Sequence, residues 1–173
     1  MKLTWFGGSC FRVYAGGQIV VVDAEAAPTG VDPIELAGGA DLVVAMGAGL
    51  PAEAGTWRPR APQRLLDAED GPRRAEVWEL GPGSVVIDTD GDAPLLLLGE
   101  PLAAFGKWID KAVVVCFGSA AATLAAGLIA HRSPRLIALA APNEAIDAAF
   151  AELSDSLDGT GLIALEAGLA VEV

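Results

Sequence analysis

The strongest constraint on this chain is a set of short, uncharged apolar runs, none longer than a single strand. Pro94 to Leu98, Ala112 to Phe117 and Arg135 to Ala140 are each an almost unbroken apolar block. A surface helix would need a stripe rather than a block, and a membrane span needs about 18 or more such residues in succession. These runs therefore read as strands buried on both faces. Between and after them, Ser119 to His131 and Asn143 to Leu153 read as helices, the second capped by Asn143. Buried strands alternating with helices predict a sheet with helices laid on its face.

The first half of the chain is built differently. Lys2 to Phe6, Cys10 to Tyr14 and Gln18 to Asp23 are β-rich and separated by Gly7-Gly8 and Ala15-Gly16-Gly17, the pattern of a meander with glycine turns. Asp23 closes the third strand. Asp32 before Pro33 predicts one helical turn over Pro33 to Ala37, because proline suits the first helical position. Asp41 to Ala52 follows, with an apolar strand Leu42 to Met46 running into a loop of glycine, alanine and proline. From about 51 to 73 lies a Pro/Arg-rich excursion with a short helix expected at Gln63 to Ala68. Arg74 to Leu80 and Ser84 to Asp88 form a hairpin, Pro101 to Trp108 reads as helix, and Leu162 to Leu165 with Leu169 to Val173 reads as a closing hairpin. The expectation is a mixed-sheet sandwich with outer helices in one domain spanning 1–173.

Of 173 residues 53% are hydrophobic, enough for a large core, and the net charge of −12 repels polyphosphate, which argues against general nucleic-acid binding. No apolar run is long enough for a membrane span, and the N-terminus lacks the zones of a signal peptide, so a cytoplasmic protein is expected. Cys10 and Cys116 are far apart and lack CxxC spacing, which predicts buried thiols. Five of the eleven basic residues, Arg58, Arg60, Arg64, Arg73 and Arg74, share the excursion. They form either a local anion or partner site or a solvated loop.

The opening Met1-Lys2-Leu3-Thr4-Trp5-Phe6-Gly7-Gly8-Ser9-Cys10-Phe11, with Val20-Val21-Val22-Asp23 after it, resembles the start of a bacterial branch of the metallo-β-lactamase superfamily, M-K-I-T-W-x-G-H-S-C-F. The similarity continues through Asp41-Leu42-Val43-Val44, which matches the strand before the H-x-H-x-D-H motif. It also takes in Leu97-Leu98-Gly99-Glu100 (the H-x-G-D-T strand end), Trp108 to Val113 and Glu166-Ala167-Gly168. The resemblance implies a four-layer αββα sandwich and descent from metal-dependent hydrolases. The chain is short for that fold, so a peripheral element is expected to be missing within Pro51 to Pro72.

Carried over position by position, the metal motif is empty. Gly47, Gly49, Pro51 and Ala52 stand where the family has His, His, Asp and His, Gly8 replaces the N-terminal His, and Ala141 falls near the late His. Catalytic zinc needs about three protein ligands. The lone histidine, His131, ends a predicted helix, where it would meet the last carbonyls. No metal and no cofactor are expected. Asp23 either fixes a loop through backbone hydrogen bonds or lines the old pocket. Glu100 is either solvated or shares a proton or a hard cation with Asp23. Asp88-Thr89-Asp90-Gly91-Asp92 has calcium-loop composition, but its glycine is misplaced and the twelfth-position Glu is absent, so a hairpin turn is expected.

Two functions follow. One is a catalytically degenerate member acting as a binding or interaction module for an unidentified protein or small molecule. The other is a hydrolase-like enzyme with a remodelled, non-zinc pocket using Asp23 and Glu100, with Ser9 or Cys10 as further candidates. A homo-oligomer is a third possibility, motivated by the small-residue helix Ser119 to Leu128 and by Trp57, which the sequence places in an exposed loop.

Overall fold

The computed structural model describes residues 1–61 and 73–173. The helix expected at Gln63 to Ala68 lies outside the described residues. Two sheets face one another. The first has five strands: β1 (Lys2–Gly7), β2 (Cys10–Ala15), β3 (Gln18–Val22), β4 (Leu42–Val44) and β12 (Ala170–Glu172), in the order β12-β1-β2-β3-β4. The second has seven: β5 (Leu50–Pro51), β6 (Glu76–Gly81), β7 (Ser84–Asp88), β8 (Leu95–Leu98), β9 (Val113–Phe117), β10 (Leu136–Ala140) and β11 (Gly161–Ala164), in the order β11-β10-β9-β8-β7-β6-β5.

The meander forms as the glycines predict, and every second residue of β1 to β3 points between the sheets. Leu3, Phe11, Val13, Val20 and Val22 meet Val85, Ile87, Leu95 and Leu97 there. The central strand β8 is buried on both faces, because Leu95 and Leu97 enter that inter-sheet core while Leu96 and Leu98 face the helices on the far side. Each fully buried leucine stabilises the fold by roughly 2 kcal/mol relative to exposure.

Helices α2 (Ala121–Ile129) and α3 (Asn143–Leu153) connect β9 to β10 and β10 to β11, three mutually parallel strands, and cover the seven-stranded sheet through Leu124, Ala125, Leu128, Ala149 and Leu153. Among the described residues, the outer face of the five-stranded sheet carries a 3₁₀ turn at Ala24–Ala26, α1 (Pro33–Ala37) and their flanking loops. There Leu36 and Ala24 pack on Cys10 and Val21. Asp32 caps α1, accepting from the Ile34 N–H at 2.8 Å. The architecture is thus a four-layer α+β sandwich with one thin outer layer.

Several local expectations are corrected. Pro101 to Trp108 is not a helix: the chain is irregular there and ends in a 3₁₀ turn at Lys107–Lys111, held when Gly106 N–H and the Trp108 indole both donate to the Ala54 carbonyl. Asn143 does not cap α3 but is its first residue, after Pro142. The strand after Asp41 stops at Val44. The two C-terminal strands do not form a hairpin. β11 pairs parallel with β10, whereas β12 pairs antiparallel with β1 in the other sheet. Trp57 is not exposed: it is 7% accessible, its ring packed edge-on against Trp108 with centroids 4.7 Å apart.

No helix among the described residues is long and apolar enough to cross a membrane.

Candidate functional site

The chain crosses between the sheets twice at one end of the sandwich, through 45–49 after β4 and through 165–169 after β11. The same end receives Gly7-Gly8-Ser9, Asp23, Gly99-Glu100 and Ala141, so the topology gathers most of the positions singled out by the family resemblance.

Asp23 sits in the left-handed region, φ 52° and ψ 48°, which Asp tolerates better than most residues. Its N–H donates to Val44 O at 2.9 Å, and its Oδ1 accepts from Met46 N–H at 2.6 Å. One residue thereby ties the end of β3 to the end of β4 and to the loop beyond. Glu100 is exposed, its aliphatic carbons beside Gly83 and its carbonyl accepting from Ser84 Oγ at 3.2 Å. Ser9 is half-buried in the β1–β2 turn. Cys10 is fully buried, and burial, with a smaller contribution from the Asp23 charge, pushes its thiol up to about 11. That is the opposite of an activated nucleophile.

The loop that would carry ligands is folded onto the second sheet. Leu50 pairs with Trp78 and Pro51 with Glu79, and Ala52 N–H donates to Glu79 O at 2.9 Å. At Gly49 the two backbones meet so closely that an added Cβ would lie 2.8 Å from Glu79 N and 3.0 Å from Val77 O. A histidine at position 49 has no room unless β5 leaves β6. Gly47, at φ 84°, has space but a backbone that favours glycine. Gly8 is exposed, its carbonyl accepting from the Trp5 indole at 3.0 Å. Ala141 is buried in the core beneath the helices, not between the sheets.

Two residues at this end escaped the sequence reading. The Phe117 ring lies over Gly99, where a Cβ would come 2.4 Å from Cζ, and meets Phe11 edge-on with centroids 5.4 Å apart. Aromatic packing therefore closes the inter-sheet core below the strand ends. Glu79 brings a carboxylate beside Gly47. A conserved-looking motif signals neither; only the unusual closeness demanded by Gly99 and Gly49 would have hinted at them. Among the described residues, no group of three or more His, Cys, Asp or Glu is placed to hold a metal ion. The residues present do not fit the family's metal centre.

His131 lies elsewhere, at the C-terminal end of α2, its Nδ1 donating to Gly127 O at 2.9 Å. The arginine cluster and the acidic turn, separate in sequence, meet at the other end of the sandwich. Arg60 donates to the Asp88 carboxylate and lies 3.3 Å from Glu76, while Arg73 forms a two-pronged pair with Asp90. Asp92 accepts from Gly16 N–H at 2.7 Å and lies 3.7 Å from the N-terminal ammonium. All three aspartates of the calcium-like turn thus have protein partners. Arg60 and Arg73 are structural rather than solvated, whereas Arg58 and Arg74 are exposed and Arg64 lies outside the described residues.

Comparison of the sequence with protein-family profiles and with curated proteins finds no match. Comparison of structures finds Igni18, described as a novel metallo hydrolase from the hyperthermophilic archaeon Ignicoccus hospitalis KIN4/I. It is 17% identical with a TM-score of 0.50, and the match covers 99% of this chain and 98% of that one. The likeness establishes the fold: this chain shares the α+β sandwich of that protein.

Proposed function

We propose that this protein is a catalytically degenerate member of the metallo-β-lactamase fold that works as a binding or interaction module. The observation that carries the reading is the state of the loop at 47–52. Gly47, Gly49, Pro51 and Ala52 offer no side-chain donor atoms, and the Gly49 backbone rests directly on β6, so the loop is a sheet edge rather than a metal cradle. Asp23 supports the same reading, because its Oδ1 accepts the Met46 N–H and so fixes the loop after β4. Burial of the Cys10 thiol and the distant placement of His131 remove the ordinary nucleophile and base.

The test is elemental analysis of protein purified without chelator, after exposure to excess Zn²⁺, Mn²⁺ and Fe²⁺ and desalting. The expected outcome is less than about one-tenth equivalent of metal. A full equivalent whose retention depends on Asp23 or Glu100 overturns the reading.

A further inference from the structure

Among the described residues no strand pairs beyond either end of each sheet, and native proteins blunt such edges with proline, charge or bulges. In the seven-stranded sheet, β5 carries Pro51, but β11 (Gly161-Leu162-Ile163-Ala164) has no proline, charge or bulge. Gly161 N–H donates to Arg135 O at 3.1 Å and Leu165 N–H to Leu139 O at 2.8 Å. In a parallel ladder alternate residues face the neighbouring strand, so Leu162 and Ala164 turn their N–H and C=O groups to the open side. The edge lies ready for another strand.

The surroundings of this edge are one-sided in charge. After Arg135 the chain contains no Lys, Arg or His. Glu144, Asp147 and Glu152 on α3, Asp155 and Asp158 beyond it, and Glu166 after β11 are all exposed, and none takes part in an ion pair among the described residues. The aspartates at the other end of the molecule, by contrast, are matched by arginines and the N-terminal amine. Where α3 passes the end of β11, a surface cavity of about 440 Å³ is lined by Asn143, Ile146, Asp147, Ala164, Leu165 and Glu166. Two carboxylates beside an apolar floor suit a Lys or Arg side chain, whose stem covers Ile146 while its charge meets Asp147 and Glu166.

We infer that the β11 edge is a docking site for an extended, basic segment of a partner protein, which adds a strand beside β11 and places a cationic side chain in the Asp147–Glu166 cavity. Main-chain hydrogen bonds to Leu162 and Ala164 supply affinity, and the acidic rim supplies selectivity. Two copies of this chain meeting edge to edge would instead oppose their carboxylates. The inference extends the interaction-module reading, yet it fails independently of it: stoichiometric metal would overturn that reading and leave this edge untouched.

Fluorescence anisotropy with two labelled ten-residue peptides tests the inference. Both have an alternating Val-Thr core, one with Lys-Lys flanks and one with Glu-Glu flanks. The Lys-flanked peptide is expected to bind saturably and to weaken about tenfold or more between roughly 50 and 500 mM salt, while its Glu-flanked twin does not bind. Ala164→Pro is expected to abolish binding with the fold intact, since Ala164 is exposed and its N–H makes no bond to β10. Asp147→Lys with Glu166→Lys, which touches no strand hydrogen bond, is expected to reverse the preference between the peptides. Equal binding of the two peptides, no binding up to about 1 mM, or binding indifferent to the charge reversal overturns the inference. So does self-association by light scattering that Ala164→Pro abolishes, because the edge then belongs to a second copy.

Discussion

Arg60 grips Asp88 by three separate contacts. Its own N–H and its Nε both donate to Oδ2, at 2.9 and 3.2 Å, and its Nη2 donates to the Asp88 carbonyl at 2.8 Å. Asp88 is only 2% accessible at the end of β7, so its charge has little recourse to water. Arg60→Ala is expected to lower the unfolding free energy by about 3 kcal/mol, because the buried carboxylate keeps the backbone N–H but loses the guanidinium that balances its charge. In an Asp88→Asn background the same change should cost less than half as much. Urea denaturation of the four proteins of the cycle checks this; equal costs in both backgrounds would show that the two residues do not act as a pair.

The neighbouring pair gives a pH dependence. The side-chain hydrogen bond from Arg73, reinforced by the charges of Arg73 and Arg60, holds the Asp90 carboxyl below its ordinary range despite opposing desolvation. A lowered folded-state pKa means that the contribution is complete above the unfolded value near ~4 and is lost as pH falls through the lower folded value. Urea midpoints measured from about pH 6 down to about pH 2 should therefore drop less steeply below pH ~4 in Arg73→Gln than in the parent. Parallel profiles would remove Asp90 from the account of acid sensitivity.

Gly49 and Gly127 make a matched test of the folded-in loop. Gly49→Ala pushes a methyl against the β6 backbone and is expected to destabilise by about 1–3 kcal/mol. Gly127, exposed within α2 and with nothing within 4 Å of an added Cβ, should instead gain up to about 1 kcal/mol on replacement by Ala. Thermal or urea unfolding reads both. A neutral Gly49→Ala would mean that β5 is easily displaced from β6.

Both thiols should be unreactive in the native protein. Burial pushes Cys116 up to about 12, and burial with the nearby Asp23 charge pushes Cys10 up to about 11. Iodoacetamide at pH ~8 is expected to label neither until denaturant is added, and Asp23→Asn should only slightly hasten the reaction of Cys10. Rapid native labelling of one equivalent at Cys10 would restore it as a candidate nucleophile.

The sequence made some features legible and hid others for identifiable reasons. The meander, the Asp32 cap and the apolar strands β8, β9 and β10 depend on residues within a few positions of one another, where glycine turns and apolar runs speak directly. The Pro101 to Trp108 helix failed because that segment answers to Ala54, about fifty residues away, whose carbonyl takes two of its N–H groups. The closing hairpin failed because two apolar runs joined by Glu166-Ala167-Gly168 look the same whether they pair with each other or belong to opposite sheets. At the site, the absence of His from positions 8, 47, 49 and 52 was readable directly. The close approach of Gly49 to β6 and the covering of Gly99 by Phe117 were not.

The sequence by itself determined which side chains stand at positions 8, 47, 49, 51 and 52, because a side chain that is not encoded cannot be supplied by folding. It also determined where strands form, because burial and turn formation are written in local residue types. Tertiary structure alone decided how the loop at 45–52 packs on β6, which arginine meets which aspartate, and which acids lie beside β11 without an ion pair among the described residues. Those relations join residues far apart in the chain, and they depend on packing and register that no local pattern carries.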